Sequence, residues 1–107
     1  MKQLQCKEVD SYDAALLGLQ GTKGMKLRLL SDDSSWIELE PGGYTPIDHK
    51  HEDKERMVVL AGTGVIKLED QQKEISPNDF IEVHNEYHQL VNTGNETLIF
   101  LCFRNQK

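Results

Sequence analysis

Seven residues have the types and spacing to do metal chemistry: Gly43, His49, His51, Glu55, Gly62, His88 and Asn92. The imidazoles of His49, His51 and His88 and the carboxylate of Glu55 supply nitrogen and oxygen donors that suit one divalent transition ion. His49 and His51 are two apart. On an extended strand alternate side chains point the same way, with α-carbons ~6.6–7 Å apart. That span lets two imidazoles converge on one ion with Nε2–metal distances near ~2.1 Å. Glu55 follows at an even interval and returns to the same face if the strand runs on. His88 must be delivered by a different strand, which a closed barrel does because its inward faces share one lumen. Gly43 can turn the chain sharply after Pro41, Gly62 can take positive φ, and the Asn92 amide can fix a turn at the end of the His88 strand.

The elements that must position these groups read as short β-rich runs between turn residues. Lys26–Leu29 and Ser35–Glu40 alternate apolar and polar, and Pro41-Gly42-Gly43 is expected to stop the second run. Met57–Leu60 is a compact apolar run, and Gly62-Thr63-Gly64 reads as a hairpin turn before Val65–Leu68. Turns are expected at Asp70–Lys73, Pro77–Asp79 and Thr93–Glu96, and Thr97–Phe103 closes the chain as a strand. The one helical hint is Asp10–Leu17, with Asp10 as N-cap and Gly18 as stop. Many short strands at this spacing indicate a sandwich or barrel. On the Glu55 strand, Glu55, Met57 and Val59 share one face and Val58 and Leu60 the other. An apolar outer face predicts a cover, either the N-terminal segment or a second subunit.

From Gly43 to Gly62 the chain reads Gly-(five)-His-x-His-(three)-Glu-(six)-Gly, which resembles the first motif of the cupin superfamily with every fixed position filled. The second cupin motif is matched only at its end, by His88, three residues and Asn92. Pro77, Val83 and Asn85 stand where that family has Gly, Pro and Gly. The short interval between motifs is similar to that of small bacterial single-domain cupins of the type-2 group. Glu40-Pro41-Gly42-Gly43 and Leu98–Phe103 most resemble their manganese-containing members. The resemblance implies an all-β fold, a double-stranded β-helix (jelly-roll-like) barrel of antiparallel strands, six to eight in number and often dimeric. It implies one domain over residues 1–107, with residues 1–25 as an N-terminal segment and 26–103 as the barrel. It also implies that His49, His51, Glu55 and His88 ligate a divalent metal (Mn, Fe, Ni, Cu or Zn), leaving two positions of an octahedron open.

Each of these residues has a plainer reading. Glu55 sits in the charged run Glu52–Arg56, which alone would be a solvated face. His84 is expected as an exposed loop histidine, Tyr87 as a packed tyrosine, and Trp36 as partly buried against the N-terminal segment. Cys102 is expected to be a buried inert thiol. If it faces the lumen instead, it is an oxidisable neighbour of the metal. Glu82 and Tyr87 are the nearest candidates for a general base.

Composition narrows the function. The chain has 107 residues, a net charge of −6 and no run of Lys or Arg, which speaks against nucleic acid and anionic membrane as partners. No apolar stretch approaches the ~20 residues of a membrane span. The polar Met1–Asp10 lacks an apolar signal core, and two cysteines far apart suit free thiols, so a cytoplasmic setting is expected. The expected partners are a small-molecule substrate or ligand and a second copy of the chain in a homodimer. Three functions fit. The first is a metalloenzyme on a small oxygen-bearing organic molecule, dioxygenase-like by family resemblance, with isomerase and decarboxylase types behind. The second is a non-catalytic binder or sensor of a sugar or organic acid, marked by a deep apolar pocket with one polar wall. The third is a structural protein stapled by metal, marked by a closed site without room for a ligand.

Overall fold

The computed structural model describes residues 1–46 and 54–105. Nine strands occur among them: β1 (Ser11–Asp13), β2 (Lys23–Ser31), β3 (Ser34–Tyr44), β4 (Lys54–Ala61), β5 (Gly64–Leu68), β6 (Gln72–Ile75), β7 (Phe80–His84), β8 (His88–Val91) and β9 (Leu98–Asn105). Every pairing is antiparallel. One sheet face runs β1-β2-β3-β9-β4-β7 and the other β3-β8-β5-β6, so β3 belongs to both and the whole curls into a barrel. The all-β barrel expected from the sequence is the fold observed.

The bend in β3 explains how one strand serves two sheets. Its first half pairs with β2 and β9, from Ser34↔Phe103 to Leu39↔Leu98. Its last residue, Tyr44, pairs with Val91 of β8. Between them the β2–β3 register jumps from Met25↔Leu39 to Lys23↔Tyr44. Pro41-Gly42-Gly43 therefore does not stop the strand, as the sequence suggests, but forms a bulge that redirects it. Gly42 takes φ +83 there, and a Cβ on Gly43 would lie 2.7 Å from the Lys23 carbonyl oxygen.

A second difference concerns Gly62–Gly64. β4 and β5 flank it but do not pair: β4 lies between β9 and β7, and β5 between β8 and β6. The segment is a crossing between sheets rather than a hairpin turn. Gly62 has φ +83, and its Cβ would sit 2.5 Å from the Thr97 carbonyl oxygen. Only glycine lets the two backbones pass this closely. The turns at 77–79 and 93–96 are where the sequence places them, but the one expected at 70–73 is shorter, because Gln72 and Lys73 already pair with Lys67 and Ile66 as the start of β6. Asn78, at φ 78, tops the turn at 77–79, and its backbone docks on Val59 of β4.

The stretch Asp10–Leu17 is not a single helix. Ser11–Asp13 pairs with β2, Tyr12 opposite Leu27, and only Ala14–Leu17 makes a short 3-10 turn. An eight-residue helix is marginal by itself, whereas a strand edge offers ready backbone partners. Gly18 does end the turn, in the left-handed conformation at φ 81.

Alternation delivers the core. Met25 and Leu27, Ile37 and Leu39, Met57 and Val59, and Leu98, Phe100 and Cys102 all point inward and are buried. The outer face of β4, β7 and β9 is not covered by the N-terminal segment. β1 sits at the far end of that sheet from β7, and Arg28 of β2 donates to the carbonyls of Lys7 and Val9. Leu60, Phe80 and Phe103 are exposed there. No helix among the described residues is long and apolar enough to cross a membrane.

Candidate metal centre

Two of the four expected donors meet inside the barrel. Glu55 is the second residue of β4 and shares the inward face of Met57 and Val59. His88 opens β8, opposite Leu68. Each residue is 4% exposed. His88 Nε2 lies 2.8 Å from Glu55 Oε1. His49 and His51 lie outside the described residues, and among those described no group of three or more donors forms.

The surroundings of His88 suit ligation. Its Nδ1 is 3.2 Å from the Glu86 carbonyl oxygen, an acceptor that fixes the proton on Nδ1 and turns Nε2 toward Glu55. Burial works against the charged imidazolium. The hydrogen bond and charge of Glu55, with help from Glu86, outweigh it and hold the His88 pKa above the usual 6.5. His88 Nε2 and Glu55 Oε1 thus converge on one point that suits either a proton or a divalent cation. The loop before His88 departs from the cupin pattern at Asn85, which stands in place of glycine. Asn85 adopts φ 53, a left-handed conformation that asparagine tolerates, so the loop keeps its turn.

The other carboxylate oxygen is also engaged. Cys102 Sγ donates to Glu55 Oε2 at 2.7 Å. Burial, reinforced by Glu55, pushes the Cys102 thiol far above its ordinary pKa, so it stays protonated and donates. Cys102 thus faces the lumen. The signal was present in the sequence as alternation with Leu98 and Phe100. It was masked because Leu98–Phe103 is apolar at nearly every position.

Glu55, His88 and Cys102 line a cavity of about 680 Å³. Met25, Leu27, Ile37, Met57, Leu90 and Phe100 supply its apolar wall, and Ser34, Ser35 and Thr45 add hydroxyls. Arg104, the register partner of Glu55 on β9, also lines it, as do Asp32 and Asp33 of the β2–β3 turn, whose Asp33 carbonyl accepts from the Arg104 N–H. The remaining sequence candidates do not join this site. Glu82 is on the outer wall, 2.8 Å from Arg56, because its neighbour Val83 takes the inward position. Tyr87 is 43% exposed rather than packed. His84 is exposed, as expected. Trp36 is half-buried on the outer face and donates to Glu38. Asn92 is where the sequence put it: its Nδ2 donates to the carbonyls of Leu39 and Glu96, and its Oδ1 accepts from Gly94 N–H.

Comparison with known proteins agrees with this geometry. The Cupin domain family model (Cupin_2) matches residues 35–104. No curated protein matches the chain significantly. Among solved structures, the polyketide cyclase RemF from Streptomyces resistomycificus is 26% identical with a TM-score of 0.84, covering 97% of this chain and 78% of that one. A predicted oxalate decarboxylase from Thermotoga maritima is 22% identical with a TM-score of 0.80, covering 96% and 97%. A cupin-superfamily sugar phosphate isomerase from Silicibacter pomeroyi is 20% identical with a TM-score of 0.82, covering 99% and 76%. At these last two identities the likeness is one of fold alone. With two thirds of its length under the family model and its inward-facing Glu55 and His88 at motif positions, the chain belongs to the cupin family.

Proposed function

We propose that the protein is a metal-dependent enzyme that binds a small oxygen-bearing organic molecule beside Glu55 and His88 in the cavity and acts on it without dioxygen. The observation that carries this reading is the buried Glu55–His88 pair lining a ligand-sized chamber whose wall is largely apolar. An imidazole nitrogen and a carboxylate oxygen held this close at a buried point are donor types that suit a divalent transition ion. His49, His51, Glu55 and His88 would hold it, with Mn²⁺ the first ion to test. When bound, such an ion polarises a substrate carbonyl or hydroxyl oxygen as a Lewis acid. The chain's own contribution is to fix Glu55 between His88 and Cys102, to hold His88 through Glu86, and to exclude water with the apolar walls.

We rank the non-oxidative branch ahead of the dioxygenase one. RemF, a cyclase with 26% identity, supports the same order. The tests are elemental analysis of protein purified without chelator or His-tag, and oxygen-electrode assays with catechols, flavonols, diketones and thiols. Stoichiometric metal, lost in the His49→Ala/His51→Ala double variant, is expected, with no oxygen uptake. Wild-type metal in the double variant would move the site elsewhere. Oxygen uptake would restore the dioxygenase branch.

One observation favours a second reading. A largely apolar cavity with a few polar groups in its wall also suits a non-catalytic binder of a small ligand. Tight binding without turnover across carbonyl compounds would select it. A cavity of this size leaves little support for a metal that serves only as a staple. For the exposed Leu60, Phe80 and Phe103 we propose a homodimer as cover, testable by sedimentation.

A further inference from the structure

We propose that Cys102 is a positioning residue for the metal: its thiol holds the second oxygen of Glu55, so that Glu55 ligates through Oε1 alone and the coordination position that Oε2 would fill stays open. This rests on the proposed metal site and adds to it what sets the number of open positions.

The carboxylate is held from two strands. His88 Nε2, at the start of β8, lies 2.8 Å from Oε1. Adjacent ligands of an octahedral ion with bonds of ~2.1 Å lie ~3 Å apart, so these two atoms already stand about as far apart as one ion needs. Cys102 comes from β9. It is the register partner of Met57, which sets it diagonally across from Glu55 on the same inward face. Its Sγ donates to Oε2 at 2.7 Å. The two oxygens of one carboxylate therefore have different tasks: Oε1 faces a nitrogen donor, and Oε2 accepts a hydrogen bond. A bidentate carboxylate must turn both oxygens to the ion, which here costs the thiol contact.

Burial makes that contact matter. Cys102 is 7% exposed and Glu55 4%. A carboxylate oxygen that loses its donor at so dry a point is drawn to the strongest remaining partner, which is the ion. Glu55, His88 and Cys102 all line the cavity, so the position that Oε2 leaves open borders the chamber a ligand would fill. Valine at 102 would pack the same wall and donate nothing.

The experiment is to load the purified full chain with Mn²⁺ and count the exchangeable waters on the ion by water-proton relaxation. Wild type is expected to hold about two, the places that the protein donors leave in an octahedron. Cys102→Val should hold about one, with relaxivity down about twofold, and Cys102→Ser should return to about two. Melting curves check that both variants fold. A single water in wild type would show Glu55 already bidentate and overturn the proposal without any variant. An unchanged count in folded Cys102→Val would also overturn it, by showing that another group, such as Arg104, the register partner of Glu55, holds Oε2. A sulfur-to-cobalt charge-transfer band in Co²⁺-loaded wild type would make Cys102 a ligand instead, with the same result. Wild type that takes up neither ion removes the metal site and this inference with it, an outcome distinct from metal bound with the wrong water count.

Discussion

His88 Nε2 and Glu55 Oε1 stand 2.8 Å apart inside the barrel, one from the start of β8 and one from β4, which are not neighbours in either sheet. Their meeting is a product of barrel closure. It makes the pair a proton site when no metal is bound and half of a ligand set when one is.

This sets a pH dependence. The folded-state pKa of His88 lies above its ordinary 6.5, because Glu55 outweighs burial. In metal-free protein the pair's contribution to stability is therefore fully present below pH ~6.5 and is lost as pH rises through the raised pKa. Metal binding runs the other way, since it must displace that proton. Metal affinity should weaken as pH falls through the raised His88 pKa, with proton release on binding. Metal titration in several buffers between pH 5 and pH 8 reads both. A flat affinity over that interval would remove His88 from the ligand set.

The pH argument uses two residues that the sequence singled out, and much else about the site was legible there too. Even spacing put Glu55 on the face of Met57 and Val59, and the turn role of Asn92 followed from its place after His88 and Val91. What was not legible is non-local. Gly62–Gly64 has the composition of a hairpin, but whether β4 pairs with β5 depends on β8 and β9 taking those edges first. The outward turn of Glu82 was decided by Val83 competing for the interior. Cys102 sits in a run apolar on both faces, so no periodicity could assign its direction before the register with Met57 was known.

The Cys102–Glu55 contact predicts a difference between the two thiols. Cys6 is half-buried near the N-terminus, whereas Cys102 is buried and its thiol is held protonated. A disulfide reagent at pH 8 should modify one thiol in the native protein and two in denaturant. Cys102→Val removes the donor to Glu55 Oε2 and should weaken metal binding about tenfold. Cys102→Ser keeps a donor and should restore most of it. Equal metal affinity in both variants would reduce the contact to packing.

Asn92 is 1% exposed and ties together β3, β8 and the turn before β9. Asn92→Ala deletes three hydrogen bonds and strands the Leu39 and Glu96 carbonyls and the Gly94 N–H. The expected loss is about 3 kcal/mol, read from urea denaturation. A loss below ~1 kcal/mol would mean that water replaces the amide.

Gly62 and Gly42 share φ +83 but differ in surroundings, which separates two costs usually mixed in a glycine substitution. A Cβ on Gly42 meets nothing within 4 Å. Gly42→Ala should therefore show only the backbone penalty, about 1–2 kcal/mol. A Cβ on Gly62 would lie 2.5 Å from the Thr97 oxygen and 2.8 Å from the Leu98 α-carbon. Both are backbone atoms of the turn and strand that follow Asn92, so they cannot swing aside as a side chain would. Gly62→Ala should cost at least ~2 kcal/mol more than Gly42→Ala in the same denaturation assay, because overpacking adds to the backbone strain. Equal losses would show that β4 and β5 cross with room to spare, and that Gly62 serves its backbone angle alone.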